Sequence, residues 1–365
     1  MQNVDQKTFL DIDLNSLSDN YKKIRKKVHK KCIVAATVKS DAYGLGVDKV
    51  VPKLINSKCK YFFVASTTEA IEIRKINKRI EIFILNGLSI NKLNIIKKYK
   101  LIPVINNLEQ LRKIELYQKQ FNLKLKIAIH FDTGMSRLGL DKIETTELIK
   151  NKSKLIKKSK IFLVMSHLAC ADNPKSKKNK VQLNKFNKII SHFPDALHSI
   201  SNSGGILLGN KYNLDMVRPG ISLYGGTCQL REKGFYKNVV SLKAKLIQTR
   251  DIDKGDTVGY GATFRASKKM KVGTFAIGYG DGFNRLFSNN CNIYLGNKKI
   301  KLIGRISMDL VTVDLTMLTN IKKITEAEFE FIGNKNSINT ICENINTIPY
   351  EILTNLGKRY QRRYI

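Results

Sequence analysis

The chain has 365 residues, 42% of them hydrophobic, which is enough for one large core or two. It carries 65 Lys+Arg against 30 Asp+Glu, a formal net charge of +35 that raises nucleic-acid binding, but no nucleic-acid module motif accompanies the charge and no such partner is expected. No stretch approaches eighteen consecutive apolar residues and MQNVDQKTFLDIDL lacks the basic-then-apolar order of a secretory signal, so the reading is a cytoplasmic protein without a membrane partner.

Short apolar runs recur from the N-terminus: CIVAATV (32–38), YFFVAS (61–66), EIFILN (81–86), LIPVI (101–105), LKIAIHF (125–131), IFLVMSHL (161–168), ALHSISNS (196–203) and MVRPGISLYG (216–225). Between them lie segments such as TTEAIEIRKINKR and NKLNIIKKYK, apolar at three- and four-residue spacing as amphipathic helices require. Strands alternating with helices in this number predict an α/β fold, a (β/α)8 TIM-type barrel, with a doubly wound open sheet as the rival. KSKKNK (175–180) reads as a solvated loop or helix start.

The first run ends on Lys39. Seven uncharged residues precede it, so its amine sits at the rim of a core, where desolvation disfavours the ammonium and favours a nucleophile or base. Arg137, His167, Asn202, Ser203 and Arg218 likewise fall at or just beyond separate run ends, which in a barrel surround one mouth.

Beyond residue 235 the texture changes to β-branched and aromatic runs separated by Gly-Asp and Gly-Asn turns: a mainly β C-terminal domain over 236–365 after a barrel over 1–235, with residues 1–10 free to join the later domain. IPYEILTNLGKRYQRRYI reads as a short helix and an extended tail. The six cysteines (Cys32, Cys59, Cys170, Cys228, Cys291, Cys342) show no CxxC spacing; they read as reduced thiols, with no metal site.

In order, VKSDAYGLG, HFDTGMSRLG, SHLACAD, ISNSGG, MVRPGISLYGG, VGYGATF, IGYGDGF, GRISMDLVTVD and YEILTNLGKRYQRRY resemble the successive blocks of the alanine racemases, enzymes that use pyridoxal 5′-phosphate (PLP). The resemblance spans both domains and implies interconversion of L- and D-alanine through a PLP aldimine on Lys39, supplying D-alanine for peptidoglycan. It implies that Tyr43, Ser203 and Tyr350 bond the cofactor phosphate with the Gly220 and Ile221 amides. Taken alone, each tyrosine would be read as an ordinary packing residue and Gly220 as a turn glycine.

Arg218 would face the pyridine nitrogen and, as a group that holds its protons, leave that nitrogen unprotonated, which suppresses a full carbanion and transamination. His167 would lie near the ring, and Arg137 would bond the phenolic oxygen and help hold the substrate carboxylate. The resemblance supplies two bases for the two faces of Cα: Lys39 would serve D-alanine and Tyr260 L-alanine. Tyr260, Tyr279 and the Met308 amide would reach the partner's barrel in a homodimer with shared sites. Asp309 would position substrate and Arg285 would support the neighbourhood of Tyr260, although a structural ion pair is an equal reading for each.

Two departures stand out. Many family members have a lysine, open to carbamylation, where this chain has His130; imidazole cannot form that carbamate, so Arg137 is expected to be held by a bound anion or by His130 itself. Ser307 stands where a cysteine is common. The rivals are a broad-specificity racemase, a decarboxylase, which would usually place a glutamate where Arg218 stands, and a non-catalytic PLP-binding barrel, which would need no VGYG or SMD block.

Overall fold

The computed structural model describes residues 7–87, 93–229, 234–318 and 324–365. Of the N-terminal stretch read for a signal, residues 1–6 lie outside these. Among the described residues, no helix is long and apolar enough to cross a membrane.

All eight apolar runs contribute parallel strands. The first is broken at Ala35 into Ile33–Val34 and Ala36–Thr37. Its first half pairs with Met216–Val217 and its second half with Tyr61–Val64, so this one segment joins the last run to the second. From there the order is Glu81–Ile84, Ile102–Ile105, Lys126–His130, Lys160–Met165 and Leu197–Ser199. The last joint is made by Asp215 N donating to His198 O (3.2 Å) and Arg218 N donating to Ser201 O (2.9 Å). The ring is closed, which gives the (β/α)8 barrel and excludes the open sheet.

The eighth run is mostly not strand. Only Met216 and Val217 pair, Pro219 has no N–H to extend the ladder, and Ile221–Tyr224 turns as a 3-10 helix. The intervening segments form the expected helices, among them Thr67–Ile76, Leu93–Tyr99 and Lys177–Ile190, the last starting inside the KSKKNK run. Thr67–Ile76 opens on a capping box in which Ser66 and Glu69 each bond the other's backbone N–H.

Inside the barrel, Ala35, Phe63, Phe83, Ile102, Val104, Ala128, Leu163, Met165 and Met216 form one buried cluster. Inward positions recur every second residue, as Ile102 and Val104 or Leu163 and Met165 illustrate. Phe63 and Phe83 stack at 4.4 Å between ring centres and plug the middle.

The second domain is a nine-stranded sheet in the order Leu246–Ile252, Met270–Phe275, Val311–Asp314, Lys298–Ile303, Asn292–Leu295, Phe329–Ile332, Val240–Ala244, Thr8–Ile12 and Gln361–Tyr364. The N-terminal strand thus sits in the C-terminal sheet, antiparallel to Val240–Ala244 and parallel to the tail. Arg363 of the tail forks onto Asp11 and Glu328, and Lys243 joins them, outweighing the effect of burial so that the Asp11 carboxyl lies below its ordinary range. The tail also reaches the barrel: Arg362 Nη1 donates to Gly44 O (2.5 Å) and Tyr364 Oη to Leu45 O (3.0 Å).

Candidate active site

Strand periodicity assembles the site. Continuing the inward positions by two residues from Ala35, Ala128, Met165 and Met216 leads through Thr37 to Lys39 and to His130, His167 and Arg218. All four line one cavity of about 790 Å³ at the C-terminal mouth, with Phe63 below them. Arg137, Tyr43, Ser203, Gly220 and Tyr350 complete its wall.

Immediately after Lys39 the chain makes a left-handed helical turn, with φ of 52 to 58° at Ser40, Asp41, Ala42 and Tyr43. Such geometry costs about 1–2 kcal/mol per non-glycine residue. Contacts hold it in place: Glu69 Oε1 accepts from Ser40 N (2.8 Å), Asp41 Oδ1 from Val47 N (2.7 Å), and Gly44 O from Arg362. The turn buries the Tyr43 ring beneath the mouth, its hydroxyl against the Gly220 backbone, where a Cβ would collide with it. Lys39 itself is pushed to a lower pKa by burial and then by the Arg137 charge, while Glu69 opposes both.

The same cavity is lined by a cluster of small polar groups. Ser203 is buried at the start of the short helix Ser203–Ile206, and its Oγ accepts from Gly220 N (2.9 Å) and Ser222 N (3.4 Å). Tyr43 and Tyr350 rings lie 6.0 Å apart, and Tyr350 Oη contacts Cys228 Sγ at 3.6 Å. Burial raises both phenol pKa values, so they remain hydrogen-bond donors. Ile221 is fully buried beside this group, and its side chain is turned toward Gly226.

Arg218 is 4% exposed and has no carboxylate partner among the described residues; burial lowers its pKa to about 9, which leaves it protonated at neutral pH. One guanidinium nitrogen bonds the Ser199 hydroxyl; the other donates to Ser166 O (2.5 Å) and approaches His167 Nδ1 (3.3 Å). His167 Nε2 lies 3.2 Å from the Asn202 amide nitrogen. Burial, then Arg218 and Arg137, push His167 well below the ordinary histidine range, so the ring is neutral.

His130 is fixed from behind. Asn106 Nδ2 donates to Leu85 O and Val104 O (3.0 Å each), so its Oδ1 faces His130 Nδ1 at 3.0 Å and that nitrogen carries the proton. Burial, with Arg218 and Arg137, lowers His130 to about 4. Below its unfolded value of 6.5, the unfolded chain binds a proton that the folded one refuses. Stability present above pH 6.5 should therefore fall as pH drops toward 4, by on the order of 3 kcal/mol from this residue. Urea unfolding at pH 7.5 and pH 5 measures the larger part of it, about 2 kcal/mol, and His130→Gln should reduce the dependence by that much, leaving the part that His167 contributes; an unchanged slope would remove His130 from the account.

Arg137 stands at the tip of the next turn, exposed, with Asp132 accepting from Gly134, Met135 and Ser136 amides to shape the loop. Unlike Tyr350, three other second-domain residues lie elsewhere. Tyr260 is 73% exposed, Met308 55% and Tyr279 44%, and none lines the Lys39 cavity. Tyr279 N donates to Ser307 O (3.1 Å) and Gly280 N to Met308 O (2.9 Å), so those two loops form one surface. Asp309 pairs with Arg359 at 2.8 Å. Arg285 opens an exposed 3-10 turn, and the guanidinium against Gly261 belongs to Arg305.

Sequence reasoning passed over Asn106, Cys228, Arg305 and Arg359. Asn106 was findable in principle, as the next inward position after Val104, but Arg359 and Arg305 act through tertiary contacts that leave no local signal.

Comparison with known proteins gives a consistent picture. Residues 12–228 match the family described as "Alanine racemase, N-terminal domain" and residues 239–364 the one described as "Alanine racemase, C-terminal domain". An alanine racemase of Rickettsia rickettsii is 38% identical over 98% of both chains. A catabolic alanine racemase of Agrobacterium fabrum is 39% identical over 98% of this chain and 92% of its own length. A crystal structure of alanine racemase from Bartonella henselae with covalently bound pyridoxal phosphate superposes with a TM-score of 0.93 at 36% identity, over 98% of this chain and 99% of that one.

Proposed function

We propose, from the premise that this chain belongs to the alanine racemase family, that it interconverts L- and D-alanine with PLP held on Lys39 and two bases drawn from two subunits. The observation that carries the reading is a half-buried lysine amine with a depressed pKa sharing one cavity with a cluster of hydroxyl and amide groups and with an arginine that has no acidic partner among the described residues.

The residues fit that cofactor. Tyr43, Ser203, Tyr350 and the Gly220 and Ile221 amides would hold its phosphate; Gly220 leaves no room for a side chain because Tyr43 fills that space. Lys39 supplies the only residue type that can join the aldehyde and hand it over to a substrate amine. Arg218 would donate to the pyridine nitrogen, and His167, neutral and tied to Arg218, would lie against the ring. PLP, when bound, makes the substrate Cα–H acidic by withdrawing electrons through its ring.

Lys39 Nζ then takes or gives the proton on one face, its depressed pKa making the neutral amine available. Tyr260 serves the other face. Because it is exposed and outside the Lys39 cavity, it would act in the partner's site, arriving with Tyr279 and the Met308 amide on the stitched surface. Covering Tyr260, Tyr279 and Met308 would also bury apolar area that one protomer leaves in water. Asp309 would hold that surface through Arg359, and Arg285 is assigned support at its edge. Arg137 would meet the phenolic oxygen and the substrate carboxylate, with His130 Nε2 available as a neutral acceptor in place of a carbamate.

A division near residues 235 and 236, a cytoplasmic site of action and supply of D-alanine to peptidoglycan are part of the same proposal. The test is PLP-dependent conversion of L- to D-alanine by the purified protein; cofactor binding without conversion of alanine would leave the fold and remove the substrate. A second check concerns the cradle. Ser203→Ala should weaken PLP binding by about 10-fold, read by cofactor fluorescence, since it removes a buried hydroxyl that would bond the phosphate. Unchanged affinity would move the phosphate elsewhere.

A further inference from the structure

The opposite end of the barrel carries a second cavity, of about 300 Å³, at the starts of the strands Glu81–Ile84, Ile102–Ile105 and Lys126–His130. Seven of its thirteen lining residues are cationic, where the chain as a whole has 65 in 365, so general basicity does not account for the density. Glu81 is the one acid there, and it is already paired with Lys126.

Arg74 forms the rigid wall. It is 8% exposed, and four of its five N–H groups donate to main-chain oxygens: Tyr99 (2.8 Å), Lys100 (3.0 Å), Asn77 (3.2 Å) and Ile80 (2.8 Å). These bonds tie two helix ends to a strand start and fix the cavity's shape. The cavity holds further cations besides Arg74 and Lys126. Those cations are Lys78, Arg79, Lys97, Lys100 and Lys124, all exposed and none paired with a carboxylate among the described residues. Ile96 and Leu125 give the cavity an apolar side.

We infer that this cavity is a binding site for a compact polyphosphate anion, a triphosphate group either free or borne by a nucleotide. Several unpaired cations line a concave space too small for a duplex, around a wall that Arg74 fixes, so that only the exposed side chains themselves remain to be ordered. The site lies away from the catalytic mouth and is independent of the racemase reading.

Calorimetric titration of the PLP-loaded protein with inorganic tripolyphosphate and, separately, ATP tests it. One saturable site per protomer is expected, weakening with salt. Arg79→Glu with Lys100→Glu should lower affinity by at least ~10-fold, whereas Lys298→Glu with Lys299→Glu, an equal change of net charge on a distant exposed strand, should not. Tighter binding of ATP than tripolyphosphate assigns the apolar side to a base; equal binding assigns the site to the phosphate chain. Absence of saturation, equal losses in both double variants, or binding lost in Ser203→Ala but kept in Arg79→Glu with Lys100→Glu would each overturn the site. A single-stranded oligonucleotide that outcompetes tripolyphosphate at the same residues would also overturn it, in favour of nucleic-acid binding.

Discussion

Lys39→Ala is expected to reduce alanine racemisation by at least about four orders of magnitude, because on the proposed reading one side chain would supply both the covalent tether and one of the two bases. The substitution should leave the fold intact, since among the described residues no hydrogen bond of the Lys39 side chain holds the following turn; Glu69 and Arg362 do that through Ser40 N and Gly44 O. Binding of PLP should persist through the phosphate cradle, but without the absorbance of a lysine-linked cofactor. A small primary amine such as methylamine should restore part of the activity by replacing the missing Nζ. Retention of activity within about tenfold of wild type would remove Lys39 from the chemistry, since no positioning role alone is worth so little at a covalent centre.

Tyr260→Phe carries the second large effect, on the order of 10³-fold, the usual scale for loss of a positioned base. The two alanine enantiomers are equal in free energy, so kcat/KM must fall by the same factor in both directions. The asymmetry appears instead in hydrogen exchange. In deuterated water, D-alanine should still exchange its Cα hydrogen through Lys39, while exchange from L-alanine should nearly cease. The exposed position of Tyr260 predicts little change in protomer stability, so the loss cannot be attributed to unfolding. Equal exchange from both enantiomers would place another base on the L-alanine face.

The barrel and its mouth were legible in sequence because strand periodicity and strand-end chemistry are local signals. Lys39 after an uncharged run, His130 two residues beyond Ala128, and Arg218 two beyond Met216 are all inward positions by period two. The second domain's β-rich texture was equally plain, and the short helix and tail lie at Pro349–Asn355 and Gln361–Tyr364. What local pattern could not supply was the left-handed turn at Ser40–Tyr43, where no glycine or asparagine announces a positive φ. That turn exists because distant groups, Glu69 and the C-terminal tail, hold it. The eighth run was over-read as strand because its apolar character continues through a 3-10 turn whose only break signal is Pro-Gly. The tautomer of His130 depends on Asn106, 24 residues away in sequence, and the pairing of Asp309 depends on Arg359, 50 residues away.

Placement of the two bases on different protomers is the central claim, and mixing two inactive variants tests it most directly. Lys39→Ala and Tyr260→Phe proteins are dissociated, combined in equal amounts and allowed to reassociate. If Tyr260 works in the partner's barrel, each mixed dimer holds one site with both bases intact and one with neither. Random reassociation makes half of the dimers mixed, so racemase activity should return to about a quarter of wild type. Activity that stays at the level of the two parents, with mixed dimers demonstrated in the sample, would place Lys39 and Tyr260 in the same protomer's site and contradict the shared-site account.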